Sequence, residues 1–366
     1  MQKNILSKMH PTKEPLVPMV DLKAVYKRME TELRQAVVAA AEGGIYFHGE
    51  NVRHLEDELA ADVGTTYAIT CANATDALTL ALMSLDIKPL DEVIAPSICS
   101  TRIAEAARCL SINVIFADID PKSFNIDPKD AEAKVTPRTR AIIPSHLFGR
   151  MANMDAVLDV AQRHNLFVIE DAAQSFGAQQ SVRGARRMAG SVGIIGCTSF
   201  SPTQNLACMG NGGALFTNSY DVAKRIRTNR ETAGLDSHLD ELQAAILRIK
   251  LRHLDEMLSR RRSAALAYRK ALANNDFYVL PEFADGHSFN QFTLRVNYGC
   301  RDDVREFLSQ RGIASEVNCS PVHPLPAAIK AADEVLSIPL HSEISPDTVS
   351  RVSLALNEWH IGANHA

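Results

Sequence analysis

At 366 residues the chain is long enough to bury a large core and is expected to divide into a major and a minor unit. Its 46% hydrophobic and 22% charged residues are those of a water-soluble globular protein, and a net charge of −4 leaves no overall electrostatic footprint for nucleic acid. The local basic patch Arg260-Arg261-Arg262 reads as a solvated helix face. Neither Met1–Pro18 nor any later stretch has an apolar run suited to a signal peptide or a bilayer span, so a cytoplasmic location without membrane contact is expected. The seven cysteines, at 71, 99, 109, 197, 208, 300 and 319, show no C-x-x-C spacing; they read as reduced, mostly buried residues, with neither a metal site nor a disulfide framework.

From about residue 54, helical patterns alternate with short β-rich runs. Strands are predicted at Tyr67–Cys71, Glu92–Ala95, Asn113–Ala117, Ala141–Pro144 and Leu166–Glu170, and amphipathic helices at Thr75–Leu85, Thr101–Leu110 and Met154–His164. This alternation predicts an α/β fold with a large, mostly parallel, buried sheet, whose ligands sit at the carboxyl ends of the strands. A long helix is predicted from Leu239 to about Leu272, with Leu239, Leu242, Ile246, Ile249, Leu251 and Leu254 forming one apolar stripe. Asn274-Asn275-Asp276 and the stretch Pro281–His287 break the pattern. Beyond them come a strand at Phe292–Val296 and helices at Asp302–Gln310 and Thr348–Trp359. The expected division is a large α/β domain with an N-terminal arm over 1–250, and a linking helix with a small α+β C-terminal domain over 251–366. There is no internal repeat and no low-complexity tract.

Several segments carry a specific pattern in a fixed order. Val168-Ile-Glu-Asp-Ala-Ala-Gln-Ser-Phe-Gly177 is an apolar strand that ends in an acid. Asn73-Ala-Thr-Asp-Ala-Leu78 is a turn entering a helix, where backbone amides and a hydroxyl can cradle a phosphate. Thr198-Ser-Phe-Ser-Pro-Thr-Gln-Asn-Leu206 precedes a glycine cluster at Gly210, Gly212 and Gly213. With Pro18–Leu22 near the start and Val335–His341 near the end, these segments resemble the DegT-type (StrS-like) pyridoxal-phosphate-dependent sugar aminotransferases over nearly the whole chain. The resemblance implies a fold-type I aminotransferase architecture and a dimer that builds each active site across its interface.

Carried over by position, the resemblance implies that Asp171 pairs with the pyridinium nitrogen of the cofactor and that Gln174 lies near its phenolic oxygen. Thr75 and Ser199 match the phosphate-binding hydroxyls. Gln204 stands where the family has its Schiff-base lysine. A carboxamide nitrogen has its lone pair delocalised into the carbonyl, so Gln204 can neither attack an aldehyde nor shuttle a proton as a neutral amine.

Further departures surround the same ligand. In Pro96-Ser-Ile-Cys-Ser100 the family's ring-stacking aromatic has become Ser100, a loss on the order of 1 kcal/mol beyond area burial. Ala74 replaces a glycine in the phosphate turn. In Gly234-Leu-Asp-Ser-His238 the phosphate-binding asparagine is Asp236 and the arginine is His238. An ionised aspartate about 4 Å from a phosphate is repelled by roughly 4 kcal/mol per unit-charge pair at an effective dielectric near 20, unless it is protonated or paired with His238. On the substrate side, His323 is a candidate catalytic residue, and Arg102 is a candidate for an anionic ligand. Ser145-His-Leu-Phe-Gly-Arg150 reads as a structural strand-to-loop turn.

The expected function is that of a repurposed family member acting on a sugar or natural-product intermediate without covalent pyridoxal phosphate, with non-covalent pyridoxal or pyridoxamine phosphate open. Two alternatives stay open at this point. One is a catalytically silent subunit that pairs with an active paralogue as a heterodimer, where a self-sufficient enzyme would form a homodimer. The other is a nucleotide-sugar aminotransferase in which the lysine was exchanged experimentally for Gln204.

Overall fold

The computed structural model describes residues 17–232, 234–318 and 320–363. Cys319 and most of the Met1–Pro18 segment lie outside the described residues. The chain opens with helices α1 (Leu22–Arg28), α2 (Glu30–Glu42) and α3 (Glu50–Val63). Then follow β1 (Tyr67–Cys71), α4 (Ala74–Ser84), β2 (Glu92–Pro96), α5 (Thr101–Cys109), β3 (Asn113–Ala117), α6 (Pro128–Ala133), β4 (Thr139–Ile142), α7 (Met154–His164) and β5 (Phe167–Asp171). A hairpin of β6 (Gln179–Val182) and β7 (Ala185–Met188) precedes β8 (Ile195–Ser199), β9 (Gly213–Thr217), α8 (Tyr220–Thr232), α9 (Glu241–Arg252) and α10 (Leu254–Leu272). The last part holds β10 (Tyr278–Val279), β11 (Phe292–Val296), α11 (Arg301–Gln310), α12 (Pro326–Glu334), β12 (Val335–Ile338) and α13 (Pro346–Ala363).

Local chemistry explains several boundaries. Asp21, Asn73, Asp127, Asn153 and Asp240 each cap a helix by accepting a backbone N–H from its first turn. Two helices end on a left-handed residue, α3 at Gly64 and α7 at Asn165.

Seven strands form the large sheet in the order β1-β9-β8-β5-β4-β2-β3. Pairs β2/β3, β2/β4, β4/β5 and β5/β8 are parallel, and only β9 runs against its neighbours. Because β1 and β8 are both antiparallel to β9, the carboxyl ends of β1, β2, β4, β5 and β8 share one rim. The core of this part packs Ile69, Leu80, Val93, Ile103, Ile143, Ile169 and Leu215 between sheet and helices. A second core gathers Tyr268, Phe292, Leu294, Val352 and Leu356 around a three-stranded antiparallel sheet, β10-β11-β12. The architecture is the expected one: α/β with a large mostly parallel sheet and a small α+β part at the C-terminus.

Two expectations need correction. The helix predicted from Leu239 to Leu272 is two helices, because the backbone leaves helical geometry at His253 (φ −98°, ψ 2°). The apolar stripe runs on through Leu251 and Leu254, so periodicity hides a one-residue break. Within the triplet 260–262 only Arg260 and Arg262 reach acidic partners near the surface, Glu256 with Glu343 and Asp285 respectively. Arg261 is buried, and its Nη1 donates to the main-chain carbonyls of Asn290 and Leu340 at 3.2 Å each and of Phe289 at 3.5 Å. Burial lowers its pKa to about 10, which leaves it charged at neutral pH.

Gly149 shows why the 146–150 segment is structural. Its φ is +98°, and a Cβ there would lie 2.6 Å from the backbone nitrogens of both Phe289 and Asn290. Gly184, at φ +80° in the β6–β7 turn, has open space around the same position. Gly149→Ala is therefore expected to lower the denaturant midpoint far more than Gly184→Ala, by about 2–3 kcal/mol against about 1 kcal/mol. Equal losses in urea titrations would show that the Gly149 contact does not matter.

Two buried histidines couple this packing to pH. Burial first, then Arg150 and Arg262, lowers His287 to about 3. Burial first, then Arg261, lowers His341 to about 4. A histidine whose folded pKa lies below the ordinary value of about 6.5 binds fewer protons folded than unfolded. Stability is thus complete above about pH 6.5 and falls on acidification toward about pH 4, each histidine contributing up to about 1.4 kcal/mol per pH unit. Thermal melts across that window are expected to show this slope, and His341→Asn to flatten it; an unchanged slope would contradict the assignment.

Candidate active site

The rim is built around the end of β5, where successive residues face opposite ways. Glu170 is fully buried and accepts hydrogen bonds from the amides of Gly190 (3.0 Å), Val192 (2.7 Å) and Gly193 (2.7 Å) and from His146 Nε2 (2.9 Å). His146 Nδ1 accepts the Ala152 N–H at 3.1 Å, so its proton sits on Nε2 and the ring is neutral. The neighbouring Asp171 is buried on the other side, its Oδ2 accepting from Ser145 Oγ at 2.9 Å and its Oδ1 from the Ala173 amide at 3.2 Å. Among the described residues no cation pairs with Asp171. Sequence reasoning missed Ser145; the motif containing it carried a signal, but one that read as purely structural.

Two thiols flank Asp171. Burial first, then the Asp171 carboxylate, raises the Cys99 thiol well above its ordinary range, and the same two causes raise Cys197. Both stay protonated at neutral pH and offer no thiolate nucleophile. Ser100 follows Cys99 and caps α5, its Oγ accepting the Arg102 amide at 3.3 Å. The Arg102 side chain is half-buried, with no hydrogen bond or ion pair among the described residues.

Ser199 ends β8, buried, its Oγ accepting the Ser201 amide at 3.3 Å. The loop after it carries Gln204 and is held from three sides. Asn205 Nδ2 donates to Phe176 O and to Ser288 Oγ, both at 3.1 Å, and Lys250 Nζ donates to Ala207 O at 2.7 Å. Asn290 Nδ2 lies 3.4 Å from Gln204 Oε1 and 3.3 Å from Asn205 Oδ1. Gln174 Oε1 accepts the Phe148 amide at 3.0 Å, which ties the 146–150 turn to the loop after β5. Asn290 was not foreseen: it sits beside a core strand, far from every motif in the sequence. An open cavity of about 340 Å³ adjoins this loop, lined by Pro18–Val20, Thr203, Asn290, Gln291 and Glu316 among others.

At the end of β1 the turn into α4 is closed by reciprocal bonds. Asn73 Oδ1 accepts the Asp76 amide, and Asp76 Oδ2 accepts from Asn73 Nδ2, each at 2.9 Å. Ser237 Oγ donates to Asp76 Oδ2 at 2.6 Å and accepts the Ala72 amide at 3.0 Å, which fastens the 234–240 loop to the turn. Ala74 is the first helical residue, buried and without a positive φ, so a glycine is not needed there and its replacement strains nothing. Thr75 follows it, half-buried at the helix start.

The remaining candidates make no hydrogen bond to Asp171 or Gln204 among the described residues. The Asp236 side chain is 92% exposed, its Oδ1 3.3 Å from His238 Nε2, and its backbone is left-handed at φ 42°. His238 packs edge-on against His48 at 4.3 Å between ring centroids. Burial, then Arg230 and His48, holds His238 below the ordinary histidine value against the pull of Asp236. His323 is exposed and stacks on Phe116 of the edge strand β3, with centroids 5.7 Å apart. The Val322 amide donates to Ser97 O at 2.8 Å, which brings that loop to the end of β2, but His323 has no hydrogen bond to Asp171 or Gln204.

Comparison with known proteins identifies the family and the fold. The family model for the DegT/DnrJ/EryC1/StrS aminotransferases matches residues 27–357. The chain is 37% identical to dTDP-3-amino-3,4,6-trideoxy-alpha-D-glucose transaminase of Streptomyces venezuelae, over 94% of this chain and 96% of that protein. Among solved structures, S. venezuelae DesV in complex with a ketimine intermediate superposes with a TM-score of 0.88 at 35% identity, covering 94% of this chain and 99% of that one. NtdA of Bacillus subtilis with bound cofactor PMP also gives 0.88, at 25% identity, covering 94% and 85%. The chain belongs to the DegT/DnrJ/EryC1/StrS aminotransferase family.

Proposed function

We propose that this chain is a remodelled family member that holds a pyridoxal-type cofactor without a covalent bond and acts on a sugar or natural-product intermediate by a route other than ordinary transamination. The observation that carries the reading is Asp171, a buried carboxylate at the strand rim that lacks a cation among the described residues, beside a loop whose residue 204 is an amide. A protonated pyridine nitrogen supplies the missing countercharge, so the ring end of the cofactor fits. A covalent link through residue 204 does not fit, because Gln204 has no nucleophilic nitrogen.

In this reading Asp171, steadied by Ser145, keeps the ring nitrogen protonated, and the 73–76 turn with Thr75 and Ser199 receives the phosphate. Ser100 replaces the stacking aromatic, which leaves room above the ring. Arg102, without a hydrogen bond or ion pair among the described residues, faces an anionic part of the substrate. Bound there, the cofactor supplies an electron sink for charge developing on the substrate carbon. The protein supplies no amine at 204 to carry the proton, which is why amino transfer is not the expected outcome.

Calorimetric titration with pyridoxal phosphate and pyridoxamine phosphate is expected to show saturable binding, weakened about tenfold or more in Asp171→Ala. Gln204→Lys is expected to add an absorbance band from covalently held pyridoxal phosphate. Absence of binding in the unmodified protein and in Gln204→Lys alike would end the cofactor reading.

The reading includes assembly, as a homodimer or with a paralogue. An apolar groove of about 640 Å³ runs along α2, lined by Tyr26, Leu33, Val37, Val38 and Met209. Ile45, Tyr46 and Phe47 are exposed in the loop after α2, which the Tyr46 carbonyl fastens to the Glu241 amide at 2.9 Å. The apolar groove and the exposed apolar residues of the following loop support a second chain seated on this face. In sedimentation the unmodified chain is expected to run as a dimer, and Val38→Glu combined with Phe47→Glu as a folded monomer. A monomeric unmodified chain that binds cofactor fully would refute the assembly.

A further inference from the structure

Asn290 determines which way round Gln204 presents its amide, an inference that rests on reading Gln204 as a pocket residue. The buried Asn290 nitrogen lies 3.5 Å from Thr203 O, 3.4 Å from Gln204 Oε1 and 3.3 Å from Asn205 Oδ1. A side-chain amide has a donor end and an acceptor end that exchange by a half-turn, so its orientation is settled only by partners that cannot turn. Thr203 O is a main-chain carbonyl, and the end of Asn290 that faces it has to be the NH₂ group. Asn205 gives the same answer independently. Its Nδ2 is committed to the main-chain carbonyl of Phe176 at 3.1 Å, so its Oδ1 faces Asn290 and needs a donor there.

With Asn290 fixed as the donor, Gln204 meets it with Oε1; the reverse orientation would set two donors against each other. The main chain of Asn290 is held in turn by Arg261 Nη1 on its carbonyl at 3.2 Å, and Gly149 packs against its amide. Gln204 Nε2 is left over, on a half-buried side chain, without a partner among the described residues. We propose that Asn290 is a positioning residue that makes Gln204 a one-way hydrogen-bond donor, so that the pocket accepts an aldehyde, keto or carboxylate oxygen at this point and disfavours an ammonium group. A lysine at 204 would attract anions by its charge but without a fixed direction; the amide pair presents direction without charge.

The test is a calorimetric titration of the full chain with pyridoxal phosphate, whose 4′ group is an aldehyde, and with pyridoxamine phosphate, whose 4′ group is an ammonium. The unmodified protein is expected to bind the aldehyde form about tenfold or more tighter. Asn290→Asp puts a carboxylate against Gln204 and turns its amide round; Gln204→Glu supplies an acceptor directly. Each is expected to shift the affinity ratio toward pyridoxamine phosphate by about tenfold or more, with thermal melts confirming the fold. If the buried carboxylate of Asn290→Asp prevents folding, Asn290→Ala, which leaves the Gln204 amide free to turn, is expected to bring the ratio toward unity and keeps the test open. Adducts of the aldehyde on surface lysines are common to all forms of the protein and cancel when the ratio is compared between variants; for the unmodified protein the heat is referenced to its Asp171→Ala variant, which keeps the same surface lysines. Equal or reversed preference in the unmodified protein, or a ratio unchanged in both Asn290→Asp and Asn290→Ala, overturns the proposal. No heat with either ligand removes the pocket reading and the proposal together, whereas binding of both at a ratio no variant moves removes the Asn290 proposal alone.

Discussion

Glu170 accepts three backbone amides and the His146 ring while fully buried, and the end of β5, with Asp171 and the 146–150 turn, depends on this knot. A buried carboxylate is tolerated only when its oxygens are satisfied, and four donors converging on one residue leave β5 a single way to end. Because side chains alternate along a strand, fixing Glu170 on one face fixes Asp171 on the other. His146 then carries the constraint outward, through the 146–150 turn to Gly149 and from there to the Asn290 backbone. The carboxylate that holds the structure and the carboxylate at the site are thus adjacent residues with separate tasks.

What remains at the rim is chemically restrained. The nearby thiols are protonated, the histidine of the turn is neutral and enclosed, and residue 204 offers an amide. Directional donors dominate, with one carboxylate that has no cation among the described residues. The family shares a fold, but the reaction is decided by these few side chains, and the fold alone does not transfer an activity.

Much of this was legible in the sequence, for reasons that differ by element. The parallel strands of the large sheet read clearly because burial on both faces produces continuous apolar runs such as Val93-Ile-Ala95. Strands β8 and β9 were not foreseen as strands, since Gly196, Gly213 and small residues dilute their β signal. The β6–β7 hairpin was hidden too: its exposed Gln and Arg residues show no apolar alternation, and its turn rests on Arg183 (φ 49°) and Gly184 (φ 80°). At the site, Asp171, Thr75, Ser199 and Gln204 stood out by motif. Ser145, Ser237 and Asn290 did not, because each reaches the rim through a tertiary contact with a residue far away in the chain. Arg261 misled for the same reason, since nothing local distinguishes a charge that will meet three carbonyls from one that will meet water.

The central claim, a pyridoxal-type cofactor held without a bond to the chain, is tested most directly by borohydride reduction in the presence of pyridoxal phosphate, followed by denaturation and peptide mapping by mass. The account predicts no stoichiometric pyridoxyl group on any buried lysine and none on the 199–208 segment, with the cofactor recovered free. A single stoichiometric adduct on Lys250 or another interior lysine would show that the chain has moved its amine and would contradict the claim.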